Sequence, residues 1–198
     1  MPVLKISQLT KDVKLGLWKI DESIDEFLSA YPHLEQVVSG YRHLGLKRQK
    51  MAVYALLYAM NGNCQVVINH DSHGKPLMQD YHISISDTAG YVAIILSRTK
   101  EVAVDIEYYS NRVDRIAKRF LREDEVAGTT ESRLIHWSAK ETVFKYFSPH
   151  QLQYADMRLH PFQVTSQGCV NVDNLKANQT VPVYYHLNDR YVLTYTYE

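Results

Sequence analysis

Three carboxylates in two segments of the chain have the spacing to hold a metal ion. EVAVDIEYY alternates in the way typical of a strand with one buried face, which would project Asp105 and Glu107 from the same face with their Cα atoms about 6.7 Å apart. Glu141 lies in HWSAKETVFKYF, where a helix would flank it with Trp137 and Phe144. Because a carboxylate among large apolar groups needs a partner, we expect a cation bound by all three.

Three oxygen ligands without histidine or cysteine favour a hard ion such as Mg²⁺, which commonly takes further ligands from substrate phosphates. Lys140 and Lys145 would then lie near those phosphates, and the pattern indicates phosphate-transfer chemistry. Two plainer interpretations stay open. The strand could simply end with a solvated face, and Glu141 with Lys145 could form a surface pair one helical turn apart.

Composition excludes several classes of protein. The 198 residues are 45% hydrophobic and 22% charged, which is ordinary for a globular protein, and the 22 basic residues match the 22 acidic ones. No overall field therefore attracts nucleic acid or a membrane surface. Cys64 and Cys169 provide no disulfide framework, and His70 and His73 are expected to be solvated loop residues. With no apolar run of about 20 residues, we expect a cytoplasmic location.

The order of predicted elements indicates an α+β fold. Residues 35–60 predict a long helix with a basic N-terminal turn, and helices are also expected within 114–127 and 132–147. Strands are predicted at 64–70, 81–86, 91–97, 101–109, 161–167, 181–187 and 190–198. We expect two pseudo-symmetric halves, 1–98 and 99–198, each with a small antiparallel sheet packed against a long helix, the second carrying the carboxylates.

Several segments of the chain, taken together, resemble the 4′-phosphopantetheinyl transferase superfamily, and in particular its monomeric, surfactin-synthetase-activating type. The most specific part is VAVDIE, followed by FLREDE and then WSAKETVFKY. The likeness extends upstream through LGLWKIDES, KRQKMAVYALL, GKP and ISISDTAGYVAIILS, in the same order.

The resemblance implies transfer of 4′-phosphopantetheine from coenzyme A to a serine of an apo acyl or peptidyl carrier protein, with Mg²⁺, releasing 3′,5′-ADP. By position it implies roles for these residues: Asp105, Glu107 and Glu141 as Mg²⁺ ligands, Lys140 and Lys145 beside the pyrophosphate, Glu125 as the base for the carrier serine with Asp124 as a rival, and Lys75 and Ser86 as contacts to coenzyme A.

Three positions depart from the family pattern. Asp87 stands where a histidine commonly approaches the 3′-phosphate, Tyr54 replaces an arginine, and Ala103 replaces a glycine. An acid at 87 would repel that phosphate. The protein could then bind coenzyme A more loosely, use basic residues such as Arg48 or Lys47 instead, or have lost activity. A catalytically weak family member that binds carrier protein or nucleotide is the first alternative function.

Two further functions stay open. Mg²⁺-dependent hydrolysis of a phosphodiester or pyrophosphate would use the same carboxylates with water in place of serine. An interaction module would explain the neutral charge and the many tyrosines. The arginines at 112, 115, 119 and 122 follow one side of a predicted helix and could attract an acidic carrier protein, or could simply be solvated.

Overall fold

The computed structural model describes residues 3–198 of the chain. Its strands are β1 (Val3–Gln8), β2 (Val13–Lys19), β3 (Asn69–His70), β4 (Pro76–Leu77), β5 (His82–Thr88), β6 (Tyr91–Ser97), β7 (Val102–Tyr108), β8 (Met157–Leu159), β9 (Gln167–Asn174), β10 (Gln179–Leu187) and β11 (Tyr191–Tyr197). Its α-helices are α1 (Ile24–Ala30), α2 (Leu34–Val38), α3 (Leu44–Asn61), α4 (Arg112–Phe120) and α5 (Thr130–Tyr146).

The first sheet is antiparallel, with the strand order β1-β2-β6-β5. The long helix α3 packs on one face and buries every residue from Met51 to Tyr58, around a core that includes Trp18 and Phe27. The helix ends at Gly62, whose positive φ of 71° suits a residue without a side chain. The β3-β4 pair follows this helix and leads into β5.

The second sheet is also antiparallel, with the order β7-β11-β10-β9-β8. Helix α5 packs on one of its faces through Leu134, Ile135, Ala139 and Val143. Its N-terminus is capped by Thr129, whose side chain accepts a hydrogen bond from Ser132 N–H. Because α5 crosses β7 and β11, one face of the helix lies directly over the β7 carboxylates.

Side-chain hydroxyls join the two sheets where β5 and β7 run side by side in the same direction. The backbone N–H groups of Val104, Ile106 and Tyr108 donate to the hydroxyls of Ser84, Ser86 and Thr88, respectively, at 3.1, 3.2 and 3.2 Å. Between the sheets lies a further core, formed by β2 and β6 on one side and by β7 and β11 on the other.

Much of the predicted secondary structure is confirmed, including the antiparallel sheets, the strand at 91–97 and the helix within 132–147. The single helix predicted at 35–60 is wrong at its start, since the chain leaves the helix after Val38 and the long helix begins only at Leu44. The strand predicted at 64–70 is wrong except for Asn69 and His70: residues 64–68 pair with no other strand, and Val67 is 64% exposed. The strand at 161–167 is wrong up to its last residue, since that segment runs exposed along the surface. The pseudo-symmetry of the halves and their boundary stay predictions.

Two further features concern the described residues 3–198. None of the helices there combines the length and apolarity needed to cross a membrane. Both cysteines are free and exposed.

Candidate active site

Asp105 lies at the centre of a cluster between β7 and α5, and it is only 4% exposed. Its Oδ1 accepts hydrogen bonds from Ser86 Oγ at 2.9 Å and from Lys145 Nζ at 2.7 Å, while its Oδ2 accepts from Ser138 Oγ at 2.8 Å. Three donors, one of them an ammonium group, therefore stabilise the ionised carboxylate.

Glu107 and Glu141 lie close enough to Asp105 for their charges to interact. Glu107 Oε1 accepts from Trp137 Nε1 at 2.8 Å, and Glu141 Oε1 accepts from the Tyr154 hydroxyl at 2.6 Å. Burial, with a further contribution from the Asp105 charge, raises the pKa of Glu107 to about 7. Burial also raises the pKa of Glu141, with Asp105 adding to the effect.

The helical repeat explains how α5 reaches this cluster. Trp137, Ser138, Glu141 and Lys145 are spaced by one, three and four residues, which places them on one side of the helix. On β7, Val104 and Ile106 point into the core between the sheets, so Asp105 and Glu107 point to α5. The alternation predicted from sequence for β7 therefore places its carboxylates opposite the polar side of α5.

The donor chemistry of this cluster fits a hard divalent cation, although a ligand geometry is not preformed. All three carboxylates offer oxygen, and a cation would lower the raised pKa values of Glu107 and Glu141. Within residues 3–198, however, no three histidine, cysteine, aspartate or glutamate side chains are arranged as a metal site. Lys145 is the cation that contacts Asp105 in this structure.

Lys145 also lines a cavity of about 180 Å³ between the two sheets' elements. Lys75 borders the same cavity. The Glu101 carboxylate lies 3.1 Å from Lys75 Nζ and 2.7 Å from His82 Nδ1. A neighbouring cavity of about 300 Å³ is bordered by Lys50 and Asp87. Two predicted residues, Lys75 and Lys145, thus share one cavity next to the carboxylates.

Lys140 and Glu125 form a fully buried ion pair behind α5 rather than facing this cavity. Lys140 Nζ donates to Glu125 Oε2 at 2.6 Å and to the Phe120 carbonyl at 2.7 Å. The Glu125 carboxylate also accepts from the backbone N–H groups of Arg122 and Leu159. Burial lowers the pKa of Lys140, which Glu125 opposes. In this geometry the pair fastens α5 to neighbouring loops, and its predicted catalytic roles stay predictions.

Other predicted residues lie around the cluster or apart from it. Ser86 binds Asp105 and the Ile106 N–H, so its hydroxyl is already engaged. Arg48 borders a separate cavity with His43 and Gly90. Asp124 is exposed and bound to Arg122. Desolvation raises the pKa of Asp87, against the opposing charges of Lys145 and Lys50.

Tyr54, which replaces the expected arginine, packs in the core of the first sheet. It is 6% exposed and its ring lies 5.9 Å from that of Tyr58. Burial raises the pKa of its hydroxyl. The side chain at this position therefore contributes to packing.

Sequence reasoning missed two residues that shape the site. Tyr154, in an irregular segment after α5, donates to Glu141 and has its pKa raised by burial and by that carboxylate. Glu101 holds Lys75 from the residue before β7. Tyr154 lies in no periodic pattern that faces the cluster, so no signal in the sequence points to it. Glu101 is in phase with Asp105 and Glu107 in the strand predicted at 101–109, so the alternation there could have pointed to it.

Residues 101–196 match the family model described as the 4′-phosphopantetheinyl transferase superfamily. The span begins just before β7 and covers all of α5, so it contains the three carboxylates and both helix lysines. This part of the chain is therefore similar to the 4′-phosphopantetheinyl transferase superfamily. A comparison with curated proteins gives no match.

Proposed function

We propose that the protein transfers 4′-phosphopantetheine from coenzyme A to a serine of an apo acyl or peptidyl carrier protein, as a holo-acyl-carrier-protein synthase of the surfactin-synthetase-activating type. The observation that carries this proposal is the carboxylate cluster of Asp105, Glu107 and Glu141 beside Lys145, within the span that matches the superfamily. We further propose that the protein acts in the cytoplasm as a monomer.

Asp105, Glu107 and Glu141 would hold Mg²⁺, which suits their oxygen donors and would relieve the crowding of their charges. When bound, the ion would stabilise negative charge on the coenzyme A pyrophosphate. Trp137 and Tyr154 already donate to one oxygen of Glu107 and of Glu141, respectively, which holds both carboxylates in orientation.

In the transfer itself, the carrier serine oxygen bonds to the phosphorus that bears pantetheine, and the bond from that phosphorus to the bridging oxygen of 3′,5′-ADP breaks. Lys145 would place a positive charge beside the leaving group, and Lys75 would bind coenzyme A in the shared cavity. The serine proton goes to a base. Glu125 is the predicted base and Asp124 its rival; Glu125 would act only if its pair with Lys140 opened.

The exposed cations of α4 support an acidic carrier protein as the partner. Arg112, Arg115, Lys118 and Arg119 all lie on the exposed side of this helix, while Val113 and Phe120 are buried. Such a surface would speed association with an acidic partner at low salt.

The test measures the intact mass of an apo carrier protein after incubation with this protein, coenzyme A and Mg²⁺, with EDTA as control. We expect a metal-dependent gain of one phosphopantetheine. Glu141→Gln should lower the rate at least about 100-fold, as expected for loss of a group that stabilises transition-state charge. Glu123→Gln, an exposed glutamate outside the cluster, should leave the rate unchanged.

A second measurement tests the metal site without relying on activity. Mg²⁺ should raise the thermal midpoint of the parent protein by at least about 2 °C, because binding to the folded state stabilises it. Glu141→Gln should remove most of that response. If several carriers gain no mass, the catalytically weak alternative would be favoured; a Mg²⁺ response retained in Glu141→Gln would exclude this glutamate as a ligand.

A further inference from the structure

A cleft of about 450 Å³ opens between the two sheets on the side away from α5. On the second sheet, Val192 packs with the α5 core while the next residue, Leu193, belongs to the core between the sheets and borders the cleft. Asp105 and Glu107 point to α5. The cleft is therefore separate from the carboxylate cluster, on the opposite face of the same sheet.

The floor of this cleft is aliphatic. Leu15 and Leu17 of β2 face Leu193 of β11, and each of these side chains is at most 6% exposed. Leu9 and Tyr191, both partly buried, extend the apolar lining. The cleft is the open end of the inter-sheet core, and its volume lies within the range of about 300 to 1,000 Å³ common for small-molecule sites.

The rim of the cleft is polar and positively charged. Lys5 of β1 and His186 of β10 both border it, and none of the lining residues carries a carboxylate. Burial lowers the pKa of His186, and the charge of Lys5 lowers it further. The rim therefore combines the ammonium group of Lys5 with an imidazole whose lowered pKa favours its neutral form, which can donate a hydrogen bond.

We propose that this inter-sheet cleft binds a medium-chain fatty carboxylate, with the alkyl chain on the leucine floor and the carboxylate at Lys5. Charge complementarity favours this occupant, since a single lysine at the edge of a cleft with a leucine floor matches a single anion at the end of an aliphatic chain. The site is independent of the proposed transferase activity and uses none of its residues.

The first experiment is a titration of the full chain by calorimetry with decanoate, octanoate and decanol, each below its aggregation concentration. We expect decanoate to bind about tenfold more tightly than octanoate, because two further methylene groups are buried. Lys5→Gln should weaken decanoate about fivefold and leave decanol unchanged. Lys11→Gln, an exposed lysine that does not border the cleft, is the matched control and should change neither.

The second experiment locates the ligand. Decanoate should shift the methyl resonances of Leu17 and Leu193. Ser166→Trp, at an exposed position on the rim, should reduce binding of decanoate and decanol more than tenfold without changing the urea midpoint. The proposal is overturned if decanoate shows no saturable binding or binds Ser166→Trp as well as the parent. A dimer in sedimentation that Ser166→Trp dissociates would assign the cleft to a second copy and equally overturn it.

Discussion

At the scale of single residues, the same motif supplies two lysines with opposite environments. Lys145 Nζ reaches Asp105 and borders an open cavity, whereas Lys140 Nζ is enclosed with Glu125 and two backbone carbonyls. The two lysines are five residues apart, which on a helix rotates them onto different faces. Their spacing alone therefore assigns only one of them to the carboxylate cluster in this structure.

We predict that Lys140→Met destabilises the protein by about 3 to 5 kcal/mol, because it leaves the Glu125 carboxylate buried without its cation. Urea unfolding measures the loss. The double variant Lys140→Met with Glu125→Gln should recover part of the free energy of unfolding, since no uncompensated charge is then buried.

Lys19→Met is the matched control for this prediction. Its partner Asp21 is exposed, so the cost should be below about 1 kcal/mol. If Lys140→Met abolished transfer while leaving the free energy of unfolding unchanged, the lysine would act on the reaction and not on the fold.

At the scale of elements, Asp173 joins three strands of the second sheet. From β9 it accepts hydrogen bonds from Arg158 of β8 at 2.7 Å, from Thr180 of β10 at 2.7 Å, and from His160 at 2.9 Å. Burial alone would raise the pKa of Asp173, but these hydrogen bonds outweigh it and lower the pKa to about 2.

Asp173 should therefore make stability depend on acid pH. Its folded pKa is depressed from an ordinary value of 3.8, so its contribution is present above about pH 4 and is lost as the pH falls toward 2. We predict that Asp173→Asn costs about 2 kcal/mol at pH 7, and that the difference from the parent shrinks as the pH falls below 4.

Urea unfolding between pH 7 and pH 2.5 measures this dependence, with the exposed Asp12→Asn as control. A difference between parent and Asp173→Asn that stays constant over the whole range would show that Asp173 contributes through packing and not through its charge.

At the scale of the whole molecule, the position of the candidate site depends on the seam between β5 and β7. Ser86 is part of both structures, since its hydroxyl accepts from Ile106 N–H across the seam and donates to Asp105. The two sheets and the carboxylate cluster are thus held by one row of buried hydroxyls.

We predict that Ser84→Ala, which removes one hydroxyl from this seam, costs about 1 to 3 kcal/mol because the buried Val104 N–H loses its acceptor. Hydrogen exchange of the Val104 amide should accelerate together with that of Ile106. Ser72→Ala, in an exposed turn, should change neither. Unchanged exchange at Val104 would mean that backbone pairing, and not the serine, protects this amide.

The sequence by itself determined the elements that carry the site. The alternation in β7 is strong enough to predict which residues turn toward α5, and the helical repeat predicts that Ser138, Glu141 and Lys145 share a face; both follow from backbone geometry alone. The sequence of residues 101–196 alone was also enough to match the transferase superfamily model.

Only the tertiary structure decided which side chains meet across the fold. Three such contacts join residues at least 13 positions apart in the chain. They are the ion pair of Lys140 with Glu125, the hydrogen bond from Tyr154 to Glu141, and the ion pair of Lys75 with Glu101. Such pairings depend on how loops and sheets pack, which no local periodicity encodes. The cleft between the sheets arises in the same way, since its leucines on β2 and β11 meet only when the two sheets face each other.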